Sequence, residues 1–418
     1  MKCKIPQKKL ISALKVIKTS KALNKVNLSK IDSENEICLN IIFDKEENKI
    51  KFIASNIGVW VGISIDAADF ISYDDPEEVY KVEESGEVFV ESSEFISLVE
   101  TFPSDCLLDM FMEENDGMKH FTVSILNSKQ KGKKKSATFL SVIRPKFFED
   151  NPPDEKRKIK IVDVESLVNA VNGVEFASEL DPIRQHLWGI QLEIYGEKDI
   201  ASCATDTLRL CWYDQEGIDR DEKPTIVTPI KSSLVSAVKN LDPKETVNVH
   251  IGKQYTILQQ KGQWHGIPNA IQIGEDRMPE WRDLVRSIKA RCRDFVDVPR
   301  KPLVNCLKSA TASSAGRYGI RMIFDSSKKN VVFSVESIEN NFDIRSHMTE
   351  TEPLSDDCFG SEIRCTVSFR IEHLKEIVNK YKSDKIRFMM QGDNQTTMII
   401  DQNASFQYIS TVIRDISQ

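Results

Sequence analysis

The chain has 418 residues, 40% hydrophobic and 29% charged, which fits a folded globular protein of roughly two to four domains and excludes a disordered one. Lys+Arg 57 against Asp+Glu 64 give a net charge of −7, so any nucleic-acid binding must rest on local placement of cations. No run approaches the ~20 apolar residues that span a bilayer, and Met1-Lys2-Cys3-Lys4-Ile5-Pro6 lacks a signal-peptide core, so a cytoplasmic protein is expected.

Residues 9–21 set Leu10, Leu14 and Ile17 at helical spacing and predict a first amphipathic helix. β-type runs follow at 37–43, 51–54 and 58–65, then a second helix at 92–102 with the stripe Phe95, Leu98, Val99 and Phe102, stopped by Pro103. Strands at 121–126 and 138–143 precede a polar, Pro-rich stretch, 149–158, read as a linker. The third helix, 164–177, carries Val164, Leu167, Val168, Val171 and Val174, and strands follow at 189–194 and 199–205. A fourth helix, 231–241, carries Leu234, Val238 and Leu241 and meets Pro243. After a strand at 247–251, residues 286–293 read as a second linker. A fifth helix, 301–314, buries Leu303, Leu307 and Ala310, and strands at 320–324 and 331–336 come next. The sixth helix, 371–381, has the stripe Leu374, Ile377, Val378 and Tyr381, and a strand at 397–400 follows it.

The second, fourth and sixth helices start at 92, 231 and 371, which is 139 and 140 residues apart, and one third of the chain is 139. The pattern predicts an α+β fold of three repeats, each with two helices among roughly eight antiparallel strands. The expected domains are 1–155, 156–291 and 292–418. Nine scattered cysteines without a Cys-x-x-Cys, and six scattered histidines, support neither a disulfide framework nor a metal site; buried reduced thiols are expected. Paired carboxylates, nucleophile triads and Gly-rich phosphate loops are absent in usable context, so no enzyme and no cofactor is expected.

Within this repeat, Leu187-Trp188-Gly189-Ile190 leads through two strands to Ala204-Thr205-Asp206-Thr207-Leu208-Arg209-Leu210. That resembles the Leu-Asn-Gly strand and Ala-Thr-Asp-Gly-His-Arg-Leu turn of the bacterial sliding clamp, the β subunit of DNA polymerase III. Val227-Thr228-Pro229-Ile230-Lys231 is similar to that family's Val-Pro-Arg-Lys lead-in, and Arg277-Met278-Pro279-Glu280-Trp281 to its Arg-Phe-Pro-Asp-Tyr strand end. The resemblance implies a DNA-clamp fold forming half of a six-domain ring, closed head-to-tail by a homodimer around duplex DNA. It also implies a nucleoid-associated processivity factor with a polymerase and a clamp-loader ATPase as partners. A ring holds DNA through phosphates without base contacts, so a modest inward excess of Lys and Arg suffices.

On that resemblance the lumen candidates are Lys15, Lys18, Lys21, Arg184, Lys231, Lys239, Lys301, Lys308, Arg317 and Lys375, with Lys380 and Lys382 accompanying the sixth helix. The third helix is the exception, with Glu165, Asn169, Asn172 and Glu175 on its polar face. Five lysines between 129 and 135 read as a solvated hairpin loop or a phosphate-touching one. The implied groove for linear partner peptides is lined by Leu187, Thr205, Arg209, Leu210, Pro229, Leu234, Ile409 and Thr411. The ring-closing surface maps to Phe139 and Leu140 on an edge strand and to Ser313 and Ser314 late in the fifth helix, where serines predict a weak contact.

Three departures bear on function. The family's Gly-His is Thr207-Leu208, and because Thr resists positive φ a different turn type is expected. The aromatic pair before the groove leucine is Gln185-His186, which argues against base stacking there. The chain ends Thr411-Val412-Ile413-Arg414 and four further residues, so different peptide preferences are expected. A second class of function stays open: a clamp paralogue that no longer encircles DNA and acts as an adaptor or decoy for clamp-binding peptides.

Overall fold

A computed structural model describes residues 1–20, 38–56, 59–67, 81–115, 117–128, 135–142, 144, 156–178, 184–215, 223–270, 278–313, 319–338, 344–393, 395–401, 403–404 and 406–410. Among them lie seven α-helices: α1 (Gln7–Lys18), α2 (Ser92–Glu100), α3 (Val164–Val174), α4 (Lys231–Val238), α5 (Trp281–Arg291), α6 (Arg300–Ser313) and α7 (Ile371–Lys380). Six coincide with the predicted helices. The seventh, α5, corrects the second linker: residues 286–291 are helical and 294–299 form a strand. The short motif after Met278-Pro279 conceals a period, since Trp281, Val285 and Ile288 are buried at positions i, i+4 and i+7.

Strand and helix follow each other without a loop at most of these starts. Lys2–Pro6 runs into α1, Gly86–Glu91 into α2, Lys158–Asp163 into α3, Asp294–Pro299 into α6 and Arg364–Arg370 into α7. The last strand residue is then the N-cap and stays extended, as in Pro6, Glu91 and Arg370, whose φ/ψ are −63/132, −64/123 and −65/126. Glu91 accepts from the Ser93 and Glu94 amides at 3.1 and 2.5 Å, and Asp163 accepts from the Ser166 amide at 2.9 Å, so side chains satisfy orphan helical donors.

The strands form antiparallel sheets in two compact units. The first unit, Met1–Val168 with Ser232–Asn269, holds a five-stranded sheet with Val82–Glu84 and Ser136–Leu140 at its edges. Its second sheet has eight strands, edged by Lys158–Asp163 and Gly86–Glu91. One core gathers Leu10, Leu14 and Ile17 of α1, Phe95 and Val99 of α2, and strand residues such as Phe43, Phe52 and Phe121. The second unit, Asn169–Lys231 with Ala270–Gln418, holds an eight-stranded sheet edged by Thr225–Val227 and Asp294–Pro299. A four-stranded sheet edged by Ile344–Pro353 and Arg364–Arg370 completes it.

All nine cysteines are buried free thiols. Burial opposes the thiolate and pushes Cys3, Cys306 and Cys365 up to about 12, which makes them inert packing residues.

Candidate nucleic-acid and partner interfaces

In the first unit, α1 buries Leu10, Ala13, Leu14 and Ile17 and turns Lys8, Ser12, Lys15 and Lys18 to solvent. Lys18 is held by Glu100 at 2.6 Å, whereas Lys8 and Lys15 have no ion-pair partner among the described residues. Lys8 was missed by sequence reasoning; its spacing of seven residues from Lys15 puts it on the same helical face. The end of α1 is tied to α4, since Thr19 donates to Asn240 Oδ1 at 2.5 Å and Ser236 donates to the Thr19 carbonyl at 2.7 Å. Exposed Lys239 therefore stands beside the end of the α1 stripe.

In the second unit α6 exposes Lys301 and Lys308, also seven apart, and Arg300 donates to the Val378 carbonyl of α7 at 3.0 Å. Lys375 is half-buried on α7. Lys380 is spent on the Asn172 carbonyl at 2.8 Å and on Glu175 at 3.5 Å. Lys231 is half-buried as well; burial holds its ammonium below the ordinary lysine range, against the pull of Glu175. Arg184 donates to Thr207 Oγ1 at 3.1 Å, which puts it on the Thr205–Arg209 turn. Lys21, Arg317 and most of the lysine run lie outside the described residues, while Lys135 sits over the Phe102 ring at 5.2 Å.

The sheet register aligns three groove candidates in one row: Thr205 faces Leu210, and Leu210 faces Ile409. Leu187 and Pro229 lie on adjoining backbone, because the Ile190 amide bonds the Pro229 carbonyl at 3.0 Å and the Lys231 amide bonds the Trp188 carbonyl at 2.9 Å. Gly189 permits this approach, since a Cβ there would stand 2.5 Å from Thr228 Cγ2. Leu234 belongs to the first unit, and Thr411 lies outside the described residues. Every described groove candidate is buried.

Leu210 and Ile409 share a cluster with Trp281, Val285 and Ile288, so α5 covers that face of the sheet. The start of α5 is pinned by Glu193, which accepts from Trp281 Nε1 at 2.7 Å and from Arg282 Nε and Nη2 at 2.9 and 2.7 Å. Arg282 also reaches Asp214 at 2.7 Å. The opposite face carries α3 and α7: Ser202 donates to the Ala170 carbonyl at 2.7 Å, and Phe176, in the turn after α3, stacks on Tyr408 at 6.2 Å.

The turn itself departs from expectation. Thr207 keeps a positive φ of 74°, at a cost of about 1–2 kcal/mol for a β-branched residue. Asp206 holds it there, its Oδ1 accepting from the Leu208 and Arg209 amides at 3.0 and 2.9 Å, while Thr205 Oγ1 accepts from the Thr207 amide at 3.1 Å. Side-chain bonding thus replaces the glycine.

At the expected ring-closing edge the two candidates separate. Phe139 points into the core, 5.2 Å from the Phe95 ring and 3% exposed, whereas Leu140 is 58% exposed. Ser313 ends α6, and Ser314 lies outside the described residues.

Residues 161–265 match the family model described as DNA polymerase III beta subunit, central domain. Solved structures extend the likeness across the chain. The Pseudomonas aeruginosa DNA polymerase III beta subunit matches with a TM-score of 0.77 and 14% identity, covering 99% of this chain and 100% of that one. The chain has the fold of the bacterial sliding clamps. The Bacillus subtilis DNA polymerase sliding clamp (TM-score 0.76, 14% identity) and the Thermotoga maritima beta subunit (TM-score 0.74, 15% identity) each match over 99% of both chains. No curated protein sequence matches. At 14–15% identity the likeness is one of fold, so the surfaces must be read from this chain's own side chains.

Proposed function

We propose that this protein is a DNA sliding clamp, a processivity factor that encircles duplex DNA and tethers a replicative polymerase without catalysing a reaction. The observation that carries the reading is the placement of lysines with no ion-pair partner among the described residues, in a chain of net charge −7. Lys8 and Lys15 on α1, and Lys301 and Lys308 on α6, occupy the solvent faces of the first helices of the first and third repeats. Such stripes suit a mobile, sequence-independent hold on phosphates. Lys239 and Lys375 extend them; Lys18 and Lys231 are the weaker members, one ion-paired and the other half-buried.

Closure calls for a second copy. We read the chain as three domains, 1–155, 156–291 and 292–418; among the described residues one five-stranded and one four-stranded sheet keep free edges. Pairing Ser136–Leu140 of one copy with an edge of the four-stranded sheet of another would bury Leu140 and complete a nine-stranded sheet. A clamp-loader ATPase opens such a ring, and partner peptides dock near Leu187, Pro229, Leu210 and Ile409.

The test is retention on circular against linearised DNA after loading, with solution mass measured alongside. Twice the 47.6 kDa chain mass, and retention that linearisation abolishes, support the clamp. Equal behaviour on both DNAs favours the adaptor reading. One observation speaks for that alternative: the solvent faces of α2 (Ser93, Glu94, Ser97, Glu100) and α3 (Glu165, Asn169, Asn172) carry no cation.

A further inference from the structure

We infer that Arg209 is a positioning residue, anchored by Glu376 of α7, which holds the Thr205–Arg209 turn in shape and does not grip a partner itself. This rests on the groove reading above, in which Arg209 would be a contact residue. All three of its guanidinium nitrogens are already engaged. Nε donates to Asp206 Oδ2 at 2.8 Å, Nη1 to the Glu376 carboxylate, and Nη2 to the Phe176 carbonyl at 2.6 Å. The group lies 5.7 Å from the Phe176 ring centroid, and the residue is 9% exposed. A peptide carboxylate or carbonyl reaching Arg209 would have to use a remaining Nη hydrogen at a buried site or displace one of three charge-assisted bonds.

The same contacts define a mechanical path. Asp206 holds the left-handed Thr207 through the Leu208 and Arg209 amides, using Oδ1, and its other oxygen is fixed by Arg209. Arg209 closes the loop through its own carbonyl, which accepts from Thr205 Oγ1 at 2.6 Å. Glu376 sits outside this loop, on a helix packed against the opposite face of the sheet from α5, with a side chain 47% exposed. His373 completes the surroundings, its Nε2 3.9 Å from Asp206 Oδ2, and Lys231, half-buried, feels Arg209, Glu376 and Asp206. The turn that leads into Leu210 is therefore shaped from the α7 side.

The test is Glu376→Gln, which preserves volume at a partly exposed position, read in two ways. Hydrogen exchange of the Leu208 and Arg209 amides should speed up by about tenfold or more, while Ile377 and Val378 on the same helix keep their protection. Affinity for a fluorescent standard bacterial clamp-binding peptide should fall about tenfold, with Arg209→Lys milder than Arg209→Met. Adding Thr207→Gly, which removes the strain, should restore much of the loss. Unchanged exchange overturns the inference, as does tighter peptide binding, which is what an Arg209 released to contact the peptide would produce. If the unmodified protein binds no peptide yet exchange responds as expected, the groove reading fails and the positioning role stands.

Discussion

Glu193→Ala tests whether α5 is held by its polar anchor or by its apolar face alone. Glu193 is 4% exposed and accepts five hydrogen bonds: from Trp281, twice from Arg282, from Tyr195 at 2.8 Å and from Gln191 at 3.2 Å. Its removal strands the Trp281 indole N–H, 1% exposed overall, at about 1–3 kcal/mol. It also takes from Arg282 the Glu193 carboxylate, leaving Asp214. Breaking a buried pair outright costs about 3–5 kcal/mol, but Asp214 at 2.7 Å retains part of that interaction. The expected destabilisation is about 3–4 kcal/mol. Burial of Trp281, Val285 and Ile288 contributes about 2 kcal/mol each, so the helix stays docked but opens more often. Urea unfolding combined with hydrogen exchange across 281–291 reads this directly; local exchange is needed because two units need not unfold as one. A loss below about 1 kcal/mol, with unchanged exchange in α5, would refute the assignment of Glu193 as the anchor.

Four further outcomes follow from the same contacts. His265 is 1% exposed, and burial pushes its pKa down to about 4, below an unfolded value near 6.5. The unfolded chain therefore binds the extra proton, so this stability is fully present above about pH 6.5 and is lost as pH falls toward 4, by at most about 3 kcal/mol; His265→Asn should flatten the slope of unfolding free energy against pH. The double reversal Lys301→Glu with Lys308→Glu should weaken DNA retention and reduce the log–log salt slope by about two, with unchanged melting temperature. Leu140→Asp should lower the solution mass to that of one chain without affecting Phe139 packing, and a persisting dimer would place closure elsewhere. Gly62→Ala should cost about 1–3 kcal/mol in thermal unfolding, because the new Cβ would stand 2.3 Å from the Trp264 ring.

Six helices were legible in the sequence because each buries one stripe and most follow a strand directly, so period and breakers coincide. α5 was not, since the eye follows Met278-Pro279-Glu280-Trp281 to an end where the chain in fact continues as a helix. The lysine stripe of α1 was legible in Lys15 and Lys18, and Lys8 was within reach of the same spacing. Whether those lysines are unpaired was not legible: Lys18 meets Glu100 across 82 residues of chain. The Thr207 turn shows the limit of local rules. Its conformation is unfavourable for the residue itself and persists because Asp206 supplies acceptors, themselves steadied by Arg209 and Glu376 from 167 residues apart.

The sequence alone determined the α+β class, six of the helix faces and the buried thiols, because hydrophobic period and local capping act over a few residues and need no partner to be read. Tertiary structure decided which charges remain available. It turned Phe139 inward and Leu140 outward, spent Arg209 and Lys380 on internal carboxylates and carbonyls, and laid α5 over Leu210 and Ile409. Those outcomes depend on which distant groups meet and which of them water still reaches, and chain spacing carries no record of either.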